Sequence, residues 1–266
     1  MNSSDVVVLK IGGSVAGEDA PSLDAIASLD DAGHGVVVVH GGGPLVSEWA
    51  KTLGLETTFI GGLRVTDEKT RDLALAVLGG LTNARLVAGL ISRGVSAVGV
   101  TGISGGMLQG EISDPALGLV GRIDRVDSAL LEELLENGRV PVIAPAALEG
   151  NGKAHEVGKT DVILNVNGDS AAGAIAAAIG ARLLVFITDV PGVRAKDGKV
   201  IASLDAPRAK ELVEDGTIEG GMLPKVEACL VAAGSGCRAA IVAARTGDAV
   251  ERLLAGERVG TVFEAA

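Results

Sequence analysis

Short, continuously apolar strands alternate with helical patterns along the whole chain, and this alternation constrains the fold more than any other feature. Val6–Ile11, Val36–Val39, Val140–Ala144 and Leu183–Thr188 are rich in β-branched residues and show little polar alternation. Such runs are typical of parallel strands that are buried on both faces. Because strands and helices alternate, we predict an α/β fold with an open, mainly parallel sheet between two layers of helices, a three-layer αβα arrangement.

Two helical patterns lie in the first third of the chain. Leu45, Trp49 and Leu53 recur at helical spacing and predict a helix with one apolar face. A longer pattern begins after Thr66, which is predicted to be its N-cap, and continues toward Gly94 with an interruption at a double glycine.

No low-complexity linker divides the 266 residues, so we predict a single domain built from two lobes of one sheet. The boundary between the lobes is predicted near residue 168. Residues 1–168 are expected to bind the acceptor substrate and to dimerise, and residues 169–266 to bind a nucleotide.

Charge and composition exclude several classes of protein. The chain has 34 acidic and 23 basic residues, a net charge of −11, so it repels nucleic acids and anionic membranes. Aromatic residues make up only 2% of the chain and offer little surface for base stacking. Cys229 and Cys237 are expected to be reduced and buried, and no His/Cys spacing suits a metal. With no signal peptide evident, a cytoplasmic location is predicted.

Two glycine-rich turns directly follow the first two strands: Lys10-Ile-Gly-Gly-Ser14 and His40-Gly-Gly-Gly-Pro44. Parallel sheets bind ligands at the carboxyl ends of their strands. Glycines let backbone N–H groups approach an anion, and Lys10 adds a full positive charge. Each turn alone could be a plain strand-to-helix connection, but two from adjacent strands favour an anion site. Neither turn is a P-loop or a dinucleotide-binding fingerprint.

Four further motifs follow predicted strands or precede predicted helices. They are Gly61-Gly-Leu-Arg-Val-Thr-Asp67, Asn165-Val-Asn-Gly-Asp-Ser170, Thr188-Asp-Val-Pro-Gly-Val193 and Gly220-Gly-Met-Leu-Pro-Lys225. Arg64 can bind a carboxylate through two parallel hydrogen bonds, and Asn165 can add an amide donor. Taken singly, Arg64 could be a surface arginine, Asp169 a helix cap and Lys225 a solvated lysine.

The six motifs, in this order and spacing, resemble the amino acid kinase superfamily and most closely its acetylglutamate kinases. The resemblance covers nearly the whole chain. It implies phosphorylation of the γ-carboxylate of N-acetyl-L-glutamate by ATP, which yields N-acetyl-L-glutamyl 5-phosphate in arginine biosynthesis. It also implies Mg²⁺ bound through the phosphates of ATP, small-molecule substrates as partners, and a homodimer. A carboxylate is already an adequate nucleophile, which agrees with the absence of a Ser–His or His–Asp pattern.

The same resemblance assigns roles to individual residues. Lys10 and Lys225 would neutralise the transferred phosphoryl group, and Asp169 would hold both lysines. Phosphoryl contacts would come from backbone N–H groups of Gly12, Gly13 and Gly43. The acceptor substrate would be held by Gly42, Gly43, Arg64 and Asn165. The nucleotide would be held by Asp189, Val190, Pro191, Gly192, Val193, Arg194, Thr217, Ile218, Glu219, Gly221 and Met222.

Two departures from the relatives keep an alternative open. Gly168 occupies a place where common relatives have alanine, and residues 102–109 lack a charged turn found in many of them. An N-x-x-G-D motif also occurs in kinases that act on carrier-linked α-aminoadipate or glutamate, which is the alternative function. The stretch Gly61–Asp67 and the third glycine, Gly43, favour acetylglutamate instead. A non-catalytic relative is disfavoured because both lysines and Asp169 are present. Arginine-sensitive relatives have an additional N-terminal helix, and only five residues precede the first strand here, so no feedback of that kind is expected.

Overall fold

The computed structural model describes residues 5–12, 20–150, 163–244 and 248–264. The strands are β1 (Val6–Ile11), β2 (Gly35–His40), β3 (Phe59–Ile60), β4 (Leu63–Arg64), β5 (Ala97–Thr101), β6 (Leu108–Ile112), β7 (Val120–Val126), β8 (Val140–Ala144), β9 (Ala146–Glu149), β10 (Ile163–Val166), β11 (Leu183–Thr188), β12 (Arg238–Ala243) and β13 (Thr261–Phe263). The α-helices are α1 (Ala20–Asp31), α2 (Gly43–Thr52), α3 (Glu68–Leu75), α4 (Asn83–Ile91), α5 (Ala129–Glu136), α6 (Gly168–Ala178), α7 (Ala206–Glu214), α8 (Leu223–Gly234) and α9 (Ala249–Leu254).

The main sheet has the strand order β13-β12-β11-β1-β2-β8-β5. Every neighbouring pair is parallel except β12 with β13. Lys10, near the end of the central strand β1, is paired with Phe186 of β11 and Val39 of β2. The predicted open, mainly parallel sheet is therefore confirmed, and the carboxyl ends of its strands meet at one edge.

Alternate residues of the central strands enter two different cores, which confirms the three-layer arrangement. Val7 and Leu9 pack with Ile26 of α1 and Leu86 of α4 on one face. On the other face, Val8 packs with residues of α5, α6 and α8. Strands that bury both faces need the continuous apolar runs seen in the sequence.

A small closed barrel of β6, β7, β9 and β10 stands beside the main sheet and was not predicted. Glycines permit its close strand contacts: a Cβ on Gly110 would overlap the Arg122 carbonyl, and one on Gly121 would lie 2.9 Å from the Leu164 Cβ. A Cβ on Gly102 would likewise overlap the Ala146 carbonyl. The segment without a charged turn, residues 102–109, ends in the core, since Leu108 is fully buried.

The long helical pattern continues without the predicted interruption. A π-helical segment, Ala76–Thr82, joins α3 to α4 and accommodates the double glycine. The N-cap is Asp67 and not Thr66, because the Asp67 carboxylate accepts a hydrogen bond from the Thr70 N–H at 2.8 Å. By length and composition alone the stretch Glu68–Ile91 could span a membrane, but Leu86 and Leu90 within it are buried in the core of the fold.

The predicted apolar face of α2 is not the face that enters the core. Val46 and Ala50 are buried, whereas Trp49 is 42% exposed and Leu53 59% exposed. The helix has two apolar sides, and the one with the smaller side chains packs against α3 and the π-helical segment. Helical spacing could not show which side is buried, because the apolar residues on each side recur every four residues.

Candidate active site

A cleft of about 230 Å³ opens at the carboxyl ends of β1 and β2. It unites residues far apart in sequence: Lys10, Gly41, Gly42, Gly43, Arg64, Asn165, Gly168 and Asp169 all line it. Its volume is below the range of about 300–1,000 Å³ usual for drug-sized ligands, which suits a substrate the size of an amino acid. The predicted acceptor-site residues Gly42, Gly43, Arg64 and Asn165 are thus brought together.

Lys10, Asp169 and Lys225 form a single ion cluster, of which Lys10 and Asp169 line the cleft. The Lys10 Nζ pairs with the Asp169 Oδ1, and the Lys225 Nζ donates to the Asp169 Oδ2 at 2.9 Å. Lys225 also donates to the Gly221 carbonyl at 3.1 Å. One carboxylate between two ammonium groups leaves a net positive charge, which is what an incoming phosphoryl group requires.

Burial and charge act against each other in this cluster. Burial lowers the pKa of Lys10, the positive charge of Lys225 lowers it too, and Asp169 opposes both. Burial would raise the pKa of Asp169, but the two lysines outweigh it, so the pKa of that carboxyl lies below its usual range. Asp169 is therefore ionised at neutral pH and can hold both lysines.

Close packing of α6 against α8 brings Asp169 and Lys225 together. Gly173 of α6 lies against Ala228 of α8, where an added Cβ would be 2.8 Å from the Ala228 Cβ. Asp169 lies one turn before Gly173 and Lys225 nearly one turn before Ala228, so the first turns of both helices converge. The N-cap of α6 is Asn167, whose side chain accepts from the N–H groups of Asp169 and Ser170. The alternative that Asp169 serves as a plain helix cap is therefore wrong.

Gly168 relieves a crowded contact beside this cluster. An alanine methyl group there would lie 3.2 Å from the His40 carbonyl oxygen and 3.5 Å from the Lys10 Cε. The first distance is tighter than an ordinary contact and the second is ordinary, so an alanine here would require a shift of a few tenths of an ångström at the His40 carbonyl.

Arg64 is held from three sides. Its Nη2 donates to the Gly43 carbonyl and to the Ser47 hydroxyl, both at 2.9 Å. The Phe59 ring lies against the guanidinium, 4.8 Å from its centre. The buried Nη1 has no hydrogen-bond partner within the described residues, and burial lowers the pKa of Arg64. Arg64 also lines the cleft, and a desolvated guanidinium with an unpaired donor is suited to a carboxylate ligand.

Thr66 is a residue of this site that the sequence analysis assigned only to a helix cap. It is fully buried, its hydroxyl donates to the Arg64 carbonyl at 2.7 Å, and it accepts from the Asn165 Nδ2 at 3.2 Å. Thr66 thus connects the two predicted carboxylate ligands across 99 residues of chain. The sequence feature that could have indicated this role is the position of Thr66 in the same motif as Arg64, two residues after it.

The predicted phosphoryl donors differ in availability. The Gly12 N–H donates to the Ile187 carbonyl at 3.2 Å, so it extends the β1–β11 ladder and is not free for a phosphoryl group, in contrast to the expectation. Gly13 lies outside the described residues. Gly42, a predicted acceptor-site residue, has a φ of 151°, and an added Cβ would be 2.5 Å from the Leu78 Cδ2, so only glycine fits there.

The predicted nucleotide-binding residues lie in turns after β11 and before α8. Of the described residues that line the cleft, none belongs to 189–194 or 217–222. Val193 and Ile218 are core residues, so only their backbones could face a nucleotide. Gly192 must be glycine because an added Cβ would be 2.6 Å from the Thr261 hydroxyl oxygen. The structure joins this region to the cleft through Lys225 and the Gly221 carbonyl.

The donor set of the cleft does not fit a protein-held Mg²⁺. Among the described residues no cluster of three or more His, Cys, Asp or Glu side chains could hold a metal. Mg²⁺ needs oxygen ligands, and both carboxylate oxygens of Asp169 are already paired with lysines.

Comparisons with known proteins agree with this architecture. Residues 5–243 match the amino acid kinase family. The chain is 40% identical over 261 residues to an acetylglutamate kinase of Dehalococcoides mccartyi, with 98% of this chain and 95% of the relative covered. It is 44% identical over 228 residues to that of Geobacillus kaustophilus, with 85% and 84% covered. A crystal structure of smu.665 from Streptococcus mutans superposes with a TM-score of 0.83 at 28% identity, covering 99% of this chain and all of that one. A carbamate kinase from Giardia lamblia bound to AMP-PNP shares the fold at 16% identity, with a TM-score of 0.71 and complete coverage of both chains. Since the family match extends over nearly the whole chain and includes every cleft residue named above, the chain belongs to the amino acid kinase family.

Proposed function

We propose that this chain transfers the γ-phosphoryl group of ATP to the side-chain carboxylate of N-acetyl-L-glutamate. The observation that supports this most directly is the cleft itself. Lys10 and Asp169 of the Lys10–Asp169–Lys225 cluster line it, and so does Arg64, whose Nη1 has no hydrogen-bond partner among the described residues. The cluster suits a transferring phosphoryl group, and Arg64 suits a second carboxylate of the same small substrate.

In the proposed reaction, a carboxylate oxygen of the substrate attacks the γ-phosphorus, and the bond from that phosphorus to the bridging oxygen breaks. The products are an acyl phosphate and ADP. No proton is removed from the nucleophile, so the barrier comes mainly from positioning and from repulsion between two anions. Lys10 and Lys225 would offset that repulsion, and Asp169 would fix their positions. ATP would enter as its magnesium complex, with the ion held by phosphates and water.

The remaining acceptor contacts follow from the lining of the cleft. Arg64 and Asn165 would bind the α-carboxylate, with Gly42 and Gly43 along it. Leu78, Val120 and Pro145 also line the cavity and would contact the acetyl group. The named relatives are acetylglutamate kinases that align with 85–98% of this chain, and they do not favour the alternative carrier-linked substrate.

The test is acyl-phosphate formation trapped with hydroxylamine, with N-acetyl-L-glutamate, free glutamate, free aspartate and free α-aminoadipate compared at equal concentration. We expect product only with N-acetyl-L-glutamate. Protein that binds Mg-ATP yet forms no hydroxamate from any of these substrates would contradict the proposal.

Variants test the residue roles. Lys10→Ala and Lys225→Ala should each lower kcat by about 10²–10³-fold, as for loss of one preorganised charge stabiliser. Lys210→Ala is the matched control because Lys210 lies on α7 with its side chain 79% exposed. A Lys225→Ala enzyme with unchanged kcat would remove Lys225 from its role. Substitutions at Asp189 and Thr217 that leave the KM for ATP unchanged would likewise remove those residues from the nucleotide site.

We further propose a cytoplasmic homodimer. The exposed apolar side chains of α2, Trp49 and Leu53, support an interface between two copies. Cys229 and Cys237 are free and buried, which accords with a reducing compartment. Light scattering should give twice the chain mass for the native protein and a monomer for Trp49→Glu. A native monomer or hexamer would refute the dimer.

A further inference from the structure

His40 is the most enclosed polar side chain of the motif that lines the cleft, and the proposed reaction does not use its imidazole. It is fully buried at the end of β2. Its Nδ1 lies 2.8 Å from the Gly41 carbonyl oxygen, and its Nε2 lies 3.2 Å from the Asn83 Nδ2. Asn83 is the first residue of α4 and is also buried.

These contacts fix the tautomer of the imidazole. A carbonyl oxygen can only accept, so the Nδ1 must bear the proton and donate to Gly41. The Nε2 is then unprotonated and accepts from the Asn83 amide. The same nitrogen also donates to the carbonyls of Val142, at 2.8 Å, and Val100, at 3.3 Å, so its two hydrogens are shared among three acceptors. One asparagine thus connects the imidazole to strands β8 and β5.

The surrounding packing leaves this pair little freedom. A Cβ on Gly99 would overlap the Asn83 Oδ1, so a glycine is required beneath the amide. The π-helical segment that precedes Asn83 packs its Leu78 against Gly42. Two residues of the same helical stretch therefore contact this turn: Leu78 packs against Gly42, and Asn83 bonds the His40 imidazole.

The bond to Gly41 sets the orientation of a peptide group that lines the cleft. In a trans peptide the carbonyl and the following N–H point in opposite directions. With the Gly41 carbonyl held by the imidazole, the Gly42 N–H points away from it. This N–H has no acceptor within the described part of the chain. We infer that His40, oriented by Asn83, is a positioning residue that aims the Gly42 N–H at the bound acceptor or the transferred phosphoryl group. The inference rests on the proposed kinase function for its kinetic consequences but not for its tautomer.

The first test is therefore independent of activity. Long-range ¹H–¹⁵N spectra of protein labelled at its three histidines distinguish Nδ1–H from Nε2–H imidazoles. The His40 signals are identified by their loss in a His40→Asn variant. We expect a neutral Nδ1–H ring at pH 7. A neutral Nε2–H ring, or a protonated one, would overturn the inference whether or not the protein is a kinase.

The second test separates the two bonds of the imidazole. The amide nitrogen of asparagine can occupy the place of Nδ1 and donate to Gly41, but it does not reach Asn83. The amide of glutamine extends toward Asn83 and leaves the Gly41 carbonyl without its donor. Each variant keeps one bond of the pair, so similar losses of stability are expected. We expect kcat within about threefold of the native value for His40→Asn, and a 10- to 100-fold loss for His40→Gln with the KM for ATP unchanged.

Leu253→Ala is the stability control, because this residue of α9 is buried in the core and does not line the cleft. Its kcat should equal the native value when assayed well below its melting temperature. Equal kcat values for the two His40 variants would show that the imidazole has only a structural role. If His40→Gln does not fold, the tautomer measurement on the native protein still decides. Native protein without kinase activity but with the Nδ1–H tautomer would contradict the proposed function alone.

Discussion

Acid should destabilise this protein through His40 more than through an ordinary histidine. Burial lowers the pKa of His40 from 6.5 to about 4, the charge of Lys10 lowers it further, and the hydrogen bond to Gly41 opposes both. Between these two values the unfolded chain binds a proton that the folded protein excludes. Stability therefore rises with pH across this window and is lost as the pH falls from 6.5 toward 4.

The size of the effect follows from the shift. A difference of about 2.5 pKa units at about 1.36 kcal/mol per unit gives a loss of about 3 kcal/mol by pH 4. That is a large fraction of the roughly 5–15 kcal/mol by which a typical domain is stable. Because other groups also titrate, the informative quantity is the difference between the native protein and His40→Asn, which has no group to protonate.

The assay is urea unfolding followed by circular dichroism at pH 7, 6, 5 and 4.5. The native protein should be the more stable at pH 7, and its advantage over His40→Asn should shrink steadily as the pH falls. The Leu253→Ala control should instead differ from the native protein by a constant amount. An advantage of the native protein that is independent of pH would refute the assignment of a buried, neutral His40.

Three further predictions concern the cluster, the barrel and the carboxylate site. Asp169→Asn leaves the buried Lys10 without its carboxylate and should lower the free energy of unfolding by about 3–5 kcal/mol; a urea titration that shows a loss below about 1 kcal/mol would contradict a paired, buried Lys10. Gly102→Ala forces a methyl group into the Ala146 carbonyl and should lower the melting temperature. In Gly80→Ala the new methyl group meets nothing within 4 Å inside a helical segment. This variant should raise the melting temperature, because alanine in a helix is up to about 1 kcal/mol more stable than glycine. Thr66→Val keeps the shape of the side chain but removes the hydroxyl between Arg64 and Asn165. The KM for N-acetyl-L-glutamate should rise by about tenfold, which corresponds to the loss of one hydrogen bond of about 1.4 kcal/mol, while the KM for ATP stays unchanged. An unaltered KM for both substrates would show that Thr66 has no part in holding Arg64.

The sequence by itself determined the layers of the fold and the residue types of the site. Val6–Ile11 and Leu183–Thr188 were predicted with the bounds that the structure shows, because a strand buried on both faces must be apolar at every position. Lys10, Arg64 and Asp169 stood out because they lie in or beside glycine-rich turns at strand ends, and their roles were implied by the resemblance to the amino acid kinases. These are local signals, readable from neighbours along the chain.

Only the tertiary structure decided which of these groups meet and which are already occupied. The Gly12 N–H is engaged by Ile187, Thr66 joins Arg64 to Asn165, and His40 finds its partner in Asn83, 43 residues away. The barrel of β6, β7, β9 and β10 and the choice between the two apolar sides of α2 were likewise beyond the sequence. Hydrogen bonds and close contacts between distant segments depend on how helices and strands stack, and that geometry has no period along the chain from which it could be inferred.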